Sequence, residues 1–158
     1  MNDKLQAPLA SDATQDGVLL AASCATVVTL IPVLLFQTGA IKSLPDPPFR
    51  VFASDEITSS KMAHPFGIPD SIPGLASFGT TLALILLANK SLVARRFLGA
   101  KLLLDGSAAA FNASRQLAGF GKFCSWCTGT ALAAGITVYA GRRVISDSLS
   151  GNWSGDRG

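Results

Sequence analysis

Four apolar stretches divide the chain. The first, GVLLAASCATVVTLIPVLLFQTGAI, runs over about 17–41, and the second, SIPGLASFGTTLALILLA, over about 71–88. The third lies within VARRFLGAKLLLDGSAAAFNASRQLAGF, its apolar part covering about 97–120, and the fourth, FCSWCTGTALAAGITVYAG, covers about 123–141. Each approaches the ~20 residues that a helix needs to cross a hydrocarbon core. Leu and Ala dominate, and the interspersed Gly, Ser and Thr let membrane helices approach closely. The pattern predicts an all-α fold, an integral membrane four-helix bundle. Pro32 falls inside the first span, where it either kinks the helix or is absorbed by its neighbours.

The polar segments differ in kind. NKSLVARR between spans two and three is short and basic, and GFGK between spans three and four is a tight turn. The link over 42–70 is long, and four of the chain's eight prolines lie in it before Phe66. Loops of that length are functional or disordered as a rule, so this one is a candidate cap. Residues 1–16 read as a polar tail without the basic start and small-residue cleavage site of a signal peptide, so the first apolar run is expected to persist. The membrane domain is then 17–144, and 145–158, rich in Gly and Ser, reads as a flexible tail carrying one aromatic anchor, Trp153.

Composition agrees with a membrane partner. Of 158 residues 49% are hydrophobic and 15% charged, and the mean hydropathy is +0.41, values suited to a small protein solvated by lipid. The net charge of +3 comes from scattered basic residues, without the aromatic-basic patch that would indicate nucleic acid. Their distribution predicts a topology. With both termini cytoplasmic, that side holds Lys4, Lys90, Arg95, Arg96, Arg142, Arg143 and Arg157, seven against five outside (Lys42, Arg50, Lys61, Arg115 and Lys122). The long loop and the CxxC of KFCSWC then meet at the outer face, which in a bacterium is oxidising.

Cys124 and Cys127 admit several chemistries. Haem attachment needs His directly after the second Cys, and Thr128 stands there. Zinc needs about four ligands, and Cys124, Cys127 and His64 make three, so no metal is expected. Two small side chains one helical turn apart also occur with no chemistry at all. A redox pair has a physical reason. At a helix start Cys124 meets unpaired N–H groups and the positive end of the dipole, with Lys122 two residues away. In a membrane the available electron acceptor is a quinone, and Phe120, Phe123 and Trp126 offer flat apolar surface nearby, though aromatics are also ordinary interfacial anchors.

The loop sequence SDEITSSKMAHPFGIPDSIPG and the CxxC heading the fourth span together resemble the vitamin K epoxide reductase family. That resemblance covers about 17–141 and implies a membrane enzyme coupling thiol oxidation to quinone reduction. It implies that Ser60 is the loop serine, that Phe66, Gly67, Ile68 and Pro69 form the re-entry into the membrane, and that Cys124 and Cys127 are the redox pair. Cys127 would be the quinone-proximal sulfur and Cys124 the exchanging one. The two loop cysteines usual in the family are replaced by Ser54 and Asp46, and the span-four tyrosine by Ala131, while the single tyrosine is Tyr139. The resulting expectation is a divergent thiol:quinone oxidoreductase with catalytic Cys124, Cys127 and Ser60. It would use a ubiquinone- or menaquinone-type ring bound by Phe120, Phe123, Trp126, His64 and Phe66. A thioredoxin-like or other thiol partner, or another subunit, would supply the missing thiols. The alternative is a non-catalytic structural or quinone-binding subunit of a larger membrane complex.

Two further features carry expectations. Asp105 lies within the third span, where an ionised group is costly. Lys101 stands at i−4 to neutralise it, and Asn112 and Gln116 continue the same stripe, which should face the bundle; a proton path or a partner contact are the other readings. His64 precedes FGIP, where it either assists proton transfer or is a solvated loop histidine. Cys24 sits mid-span and reads as a buried small residue.

Overall fold

The structure, a computed structural model, describes residues 3–88 and 90–150. Six helices appear among them: α1 (Asp3–Gln37), a short α2 (Ser54–Thr58), α3 (Ser71–Ala88), α4 (Leu92–Phe120), α5 (Ser125–Ala140) and α6 (Arg142–Ser150). Two 3₁₀ turns, Lys61–Ala63 and Pro65–Gly67, lie between α2 and α3. Helix α1 packs on α3 and α5, and α4 packs on α3, α5 and α6. The all-α bundle expected from the apolar pattern is therefore present, with the long link between α1 and α3.

Local chemistry sets the ends. Helix α1 runs through Pro32 and stops at Gln37, short of the expected 41, because Gly39 adopts φ +79. The amide of Gly39 bonds Phe36 O at 3.0 Å and that of Ala40 bonds Leu35 O at 2.8 Å, the paired bonds of a Schellman stop. At its other end α1 begins at Asp3, so most of the expected polar tail is helical. Helix α3 coincides with the second apolar run. Helix α4 starts five residues before the expected span because the Ser91 hydroxyl caps it, accepting from Ala94 N at 3.3 Å. It ends at Gly121, φ 61, whose amide bonds Leu117 O at 2.9 Å.

Two expectations need correction. Residues 145–150 are not a loose tail: α6 continues to Ser150 and buries Ile145 against Leu98 and Leu102 of α4 and Leu19 of α1. The Ser148 hydroxyl bonds Arg96 O at 3.2 Å, and Arg95 lies 3.9 Å from Asp147. Trp153 lies outside the described residues. Cys24 is not buried; it is exposed on α1, because the stripe facing the bundle passes through Ala22, Ser23 and Thr26 instead.

Polar pairs fix the helices against one another where apolar contacts alone leave sliding possible. Thr29 on α1 and Thr130 on α5 share a hydrogen bond of 2.8 Å. Asp105 is 5% exposed and takes hydrogen bonds from Ser77 and Thr81 of α3 and an ion pair from Lys101. Lys101 also bonds Ser77 Oγ at 2.8 Å. The stripe expected to face inward does so, and the ion pair is present. Two helices, α1 over Thr14–Gln37 and α3, are long and apolar enough to cross a membrane.

Removing one member of a buried ion pair leaves the other charge uncompensated, at a cost of about 3 kcal/mol. Lys101→Met should therefore lower the unfolding midpoint in detergent strongly, and the double variant with Asp105→Asn should recover most of the loss. A Lys101→Met protein as stable as the parent would show that the pair does not hold α4.

Candidate active site

Cys124 is the N-cap of α5 and is 0% exposed. A helix start leaves its first amides without intrahelical partners, and here each finds an acceptor. The Cys127 amide donates to Cys124 Sγ at 3.1 Å, with that of Trp126 also directed at the sulfur. Ser125 N donates to Ser54 Oγ at 2.9 Å, and Thr128 N donates to Cys124 O at 2.9 Å. The Cys124 amide itself donates to Gln116 Oε1 of α4 at 3.0 Å. Both cysteines are free thiols, with their side chains in hydrogen-bonding reach of each other. The cap geometry thus places Cys124 Sγ among donors and Cys127 one turn further in, an arrangement from which a disulfide can close.

The loop forms a lid over Cys124. Phe52 pairs with Phe123 as a parallel bridge: Phe123 N donates to Val51 O at 2.8 Å, and Ala53 N donates to Phe123 O at 2.9 Å. The Trp126 indole N–H donates to Pro45 O at 3.1 Å. Asp46 then ties three groups together. Its carboxylate accepts from Ser54 Oγ at 2.6 Å, from Ser54 N at 2.7 Å and from Ser125 Oγ at 2.6 Å. Partial burial pushes this carboxyl up, but the hydrogen bonds from Ser125 and Ser54 outweigh it, so Asp46 sits below its ordinary 3.8. The sign follows: the ionised latch contributes above that ordinary value and is lost as pH falls through the lowered one. Ser54 is fully buried and also lies against the Cys124 thiol. The two residues standing where loop cysteines were expected are therefore in contact with each other and with the CxxC, joined by hydrogen bonds where a disulfide would be.

On its other side the pair meets a cavity of about 250 Å³ between α1, α3, α4 and α5. Leu30, Val33, Phe78, Ala109 and Ala131 form much of its wall, with Asp70, Asn112, Arg115 and Asp105 as polar groups and Cys127 at its edge. Ligand sites combine apolar walls with a few polar groups in this way, and those for drug-sized molecules span ~300–1,000 Å³. This volume suits a ring rather than a whole large ligand. The walls and donors present fit a quinone ring. Ala131, at the position expected for a tyrosine, offers it no hydroxyl.

Several predicted residues stand elsewhere. Ser60 turns its hydroxyl to Ile57 O at 2.6 Å, and His64 Nδ1 lies 3.0 Å from Ser60 O. Phe66 is fully exposed with φ 59. Phe123 serves the lid through its backbone, and Trp126 binds the loop. Neither these nor Phe120 line the cavity. Its polar lining comes instead from Asp70, Arg115 and the Asp105–Asn112 stripe. Gln37 was missed as well: its amide N donates to Asp70 Oδ1 at 2.8 Å, and its carbonyl accepts from Ser71 Oγ at 2.5 Å. It joins the end of α1 to the start of α3. The available signal was position alone, since Gln37 ends the first apolar run and Asp70 directly follows FGIP. Among the described residues no cluster of His, Cys, Asp and Glu could hold a metal ion.

Comparison with curated proteins gave no match, and comparison with solved structures gave none either. The model of the Vitamin K epoxide reductase family matches residues 17–140, a span containing α3, α4, α5, the loop and all of α1 beyond its polar start. With the helical bundle and the CxxC at the head of α5, that match makes the chain a member of the vitamin K epoxide reductase family, with the fold of a membrane thiol:quinone oxidoreductase.

Proposed function

We propose that this chain oxidises thiols of a partner protein and passes the electrons to a quinone, with Cys124 facing the partner and Cys127 facing the cavity. The observation that carries this is the division of the pair: Cys124 is sealed under the loop while Cys127 borders the cavity. A bound quinone supplies the two-electron acceptor. The chain's own residues do the rest. The Cys124–Cys127 disulfide is attacked at Cys124 by a partner thiolate, giving a mixed disulfide and freeing Cys127. The partner's second thiol then resolves it, leaving both cysteines reduced and the partner oxidised. Ser54, Asp46 and Ser125 hold the lid between turnovers, and the walls around Leu30 and Phe78 keep water from the acceptor side.

Four spans, made by α1, α3, α4 and α5, with both termini cytoplasmic and the lid outside, suit this cycle, because an oxidising compartment supplies partner thiols that need an acceptor. A second reading is favoured by one observation. Asp46 and Ser54 cannot relay electrons, and they hold Cys124 in a closed, fully bonded state. That suits a structural or quinone-binding subunit of a membrane complex that keeps the fold without turnover.

Thiol trapping in membranes separates the two. In quinone-replete membranes the pair should be trapped as a disulfide, and quinone depletion should leave it reduced; a pair that never changes state would sink the enzymatic reading. The lid makes a second expectation. Asp46→Ala removes the shared acceptor, and a hydrogen bond in so exposed a setting contributes roughly 1 kcal/mol. Alkylation of reduced Cys124 at neutral pH should then quicken about fivefold. An unchanged rate would mean that the backbone pairing at Phe52 and Phe123 alone closes the lid.

A further inference from the structure

We infer that Asp70 is the proton carrier of the cavity, moving a proton between Cys127 and the ring oxygen of a quinone bound there. This rests on the thiol:quinone reading above and adds a residue to it.

Asp70 sits where three parts of the protein converge. It precedes α3, its amide bonds Ala63 O of the loop at 2.9 Å, and its carboxylate accepts from Gln37 of α1 at 2.8 Å. It lines the main cavity together with Cys127, and both also line a second, smaller cleft under the loop. Asp70 therefore borders both the ring space beside Cys127 and the cleft under the loop, the two contacts a proton carrier needs. The tyrosine hydroxyl expected at Ala131 is missing from the same wall, and Asp70 is an acid–base group already present there.

The surroundings make the Asp70 carboxylate a stronger base than a solvated one. Burial is the largest influence on Asp70 and raises it above its ordinary 3.8. The Gln37 hydrogen bond, the His64 charge, the Ser71 amide and the Arg115 charge pull it back only in part. These groups come from every side: Gln37 from α1, His64 from the 3₁₀ turns, Ser71 from α3 and Arg115 from α4. Asp105 also faces the cavity, but Lys101, Ser77 and Thr81 already occupy its oxygens. Asp70 has only Gln37 as a side-chain donor among the described bonds.

The balance is simple. As the S–S bond forms, the two thiols lose two electrons and two protons, and the quinone gains two of each to become the quinol. Asp70 accepts the Cys127 proton and hands it to one ring oxygen, ending as it began. The second ring oxygen takes its proton from water at the outer face, and the Cys124 proton is released to that water. A positioned acid or base of this kind contributes about 10²-fold or more.

The test uses the full chain in native membranes with Asp70→Asn, which keeps the shape and an oxygen for Gln37, and with Asp70→Glu, which restores a carboxyl. Two readouts are taken. In quinone-free membranes the alkylation rate of Cys127 reports the negative charge nearby, which disfavours thiolate. It should rise severalfold in Asp70→Asn and stay near the parent rate in Asp70→Glu. With added quinone, the rate of disulfide formation in the pre-reduced pair should fall about 100-fold in Asp70→Asn and return to within about tenfold in Asp70→Glu. If the parent pair oxidises and Asp70→Asn oxidises equally fast, Asp70 is not the carrier, although the quinone reading stands. If the parent pair itself ignores quinone, both fall. An unchanged Cys127 alkylation rate in Asp70→Asn would also overturn the proposal, because the carboxyl would not reach the sulfur.

Discussion

A helix must satisfy the amides of its first turn, and α5 does so with a cysteine sulfur as its cap. Sulfur is a weak acceptor, so the Cys124 side chain cannot serve that turn alone. Gln116 takes the Cys124 amide and Ser54 takes that of Ser125, from α4 and from the loop. The requirement that every buried donor be paired thus draws two other elements onto the CxxC. The lid, the α4–α5 seam and the burial of Cys124 all follow from it.

The same constraint explains how the loop keeps its place without cysteines. A disulfide would hold it covalently and would also relay electrons. Asp46 and Ser54 reproduce the first property and not the second. The carboxylate gathers three donors at one point, and hydrogen bonds to an ionised acceptor are the stronger kind. Their strength is limited by exposure of Asp46, which keeps the latch openable. A closed lid with an openable latch suits the external electron donor proposed above.

The parts legible in the sequence were those governed by periodicity and by strong local signals. The helical class, the limits of α3, the Lys101–Asp105 pair and the inward stripe to Gln116 all follow from spacing. Boundaries moved where a single residue decided them: Gly39 ended α1 early, and Ser91 started α4 early. The serines and aspartate of α6 have the composition of a loose tail, and only Val144 and Ile145 give it a face for Leu98. The site was half legible. Cys124 and Cys127 were plain from the motif, while the ring-binding aromatics were inferred from nearness in sequence. Phe120, Phe123 and Trp126 flank the cysteines along the chain, but the cavity lies across the bundle, where the nearest neighbours come from α1, α3 and α4. No local pattern reports which helices face one another.

That crossing also bears on the polar stripe of α4. Asp105, Asn112 and Gln116 lie at seven- and four-residue intervals on one face of that helix. Asp105 is bound to α3, Asn112 faces the cavity and Gln116 holds the Cys124 amide. One helix face therefore touches the buried ion pair, the cavity and the Cys124 cap in turn. Moving α4 along its axis would disturb all three, and the Lys101–Asp105 contact with Ser77 and Thr81 is what sets its height against α3. These buried polar residues thereby position the cysteine pair: the ion pair fixes the register of α4, and that register puts Gln116 under Cys124.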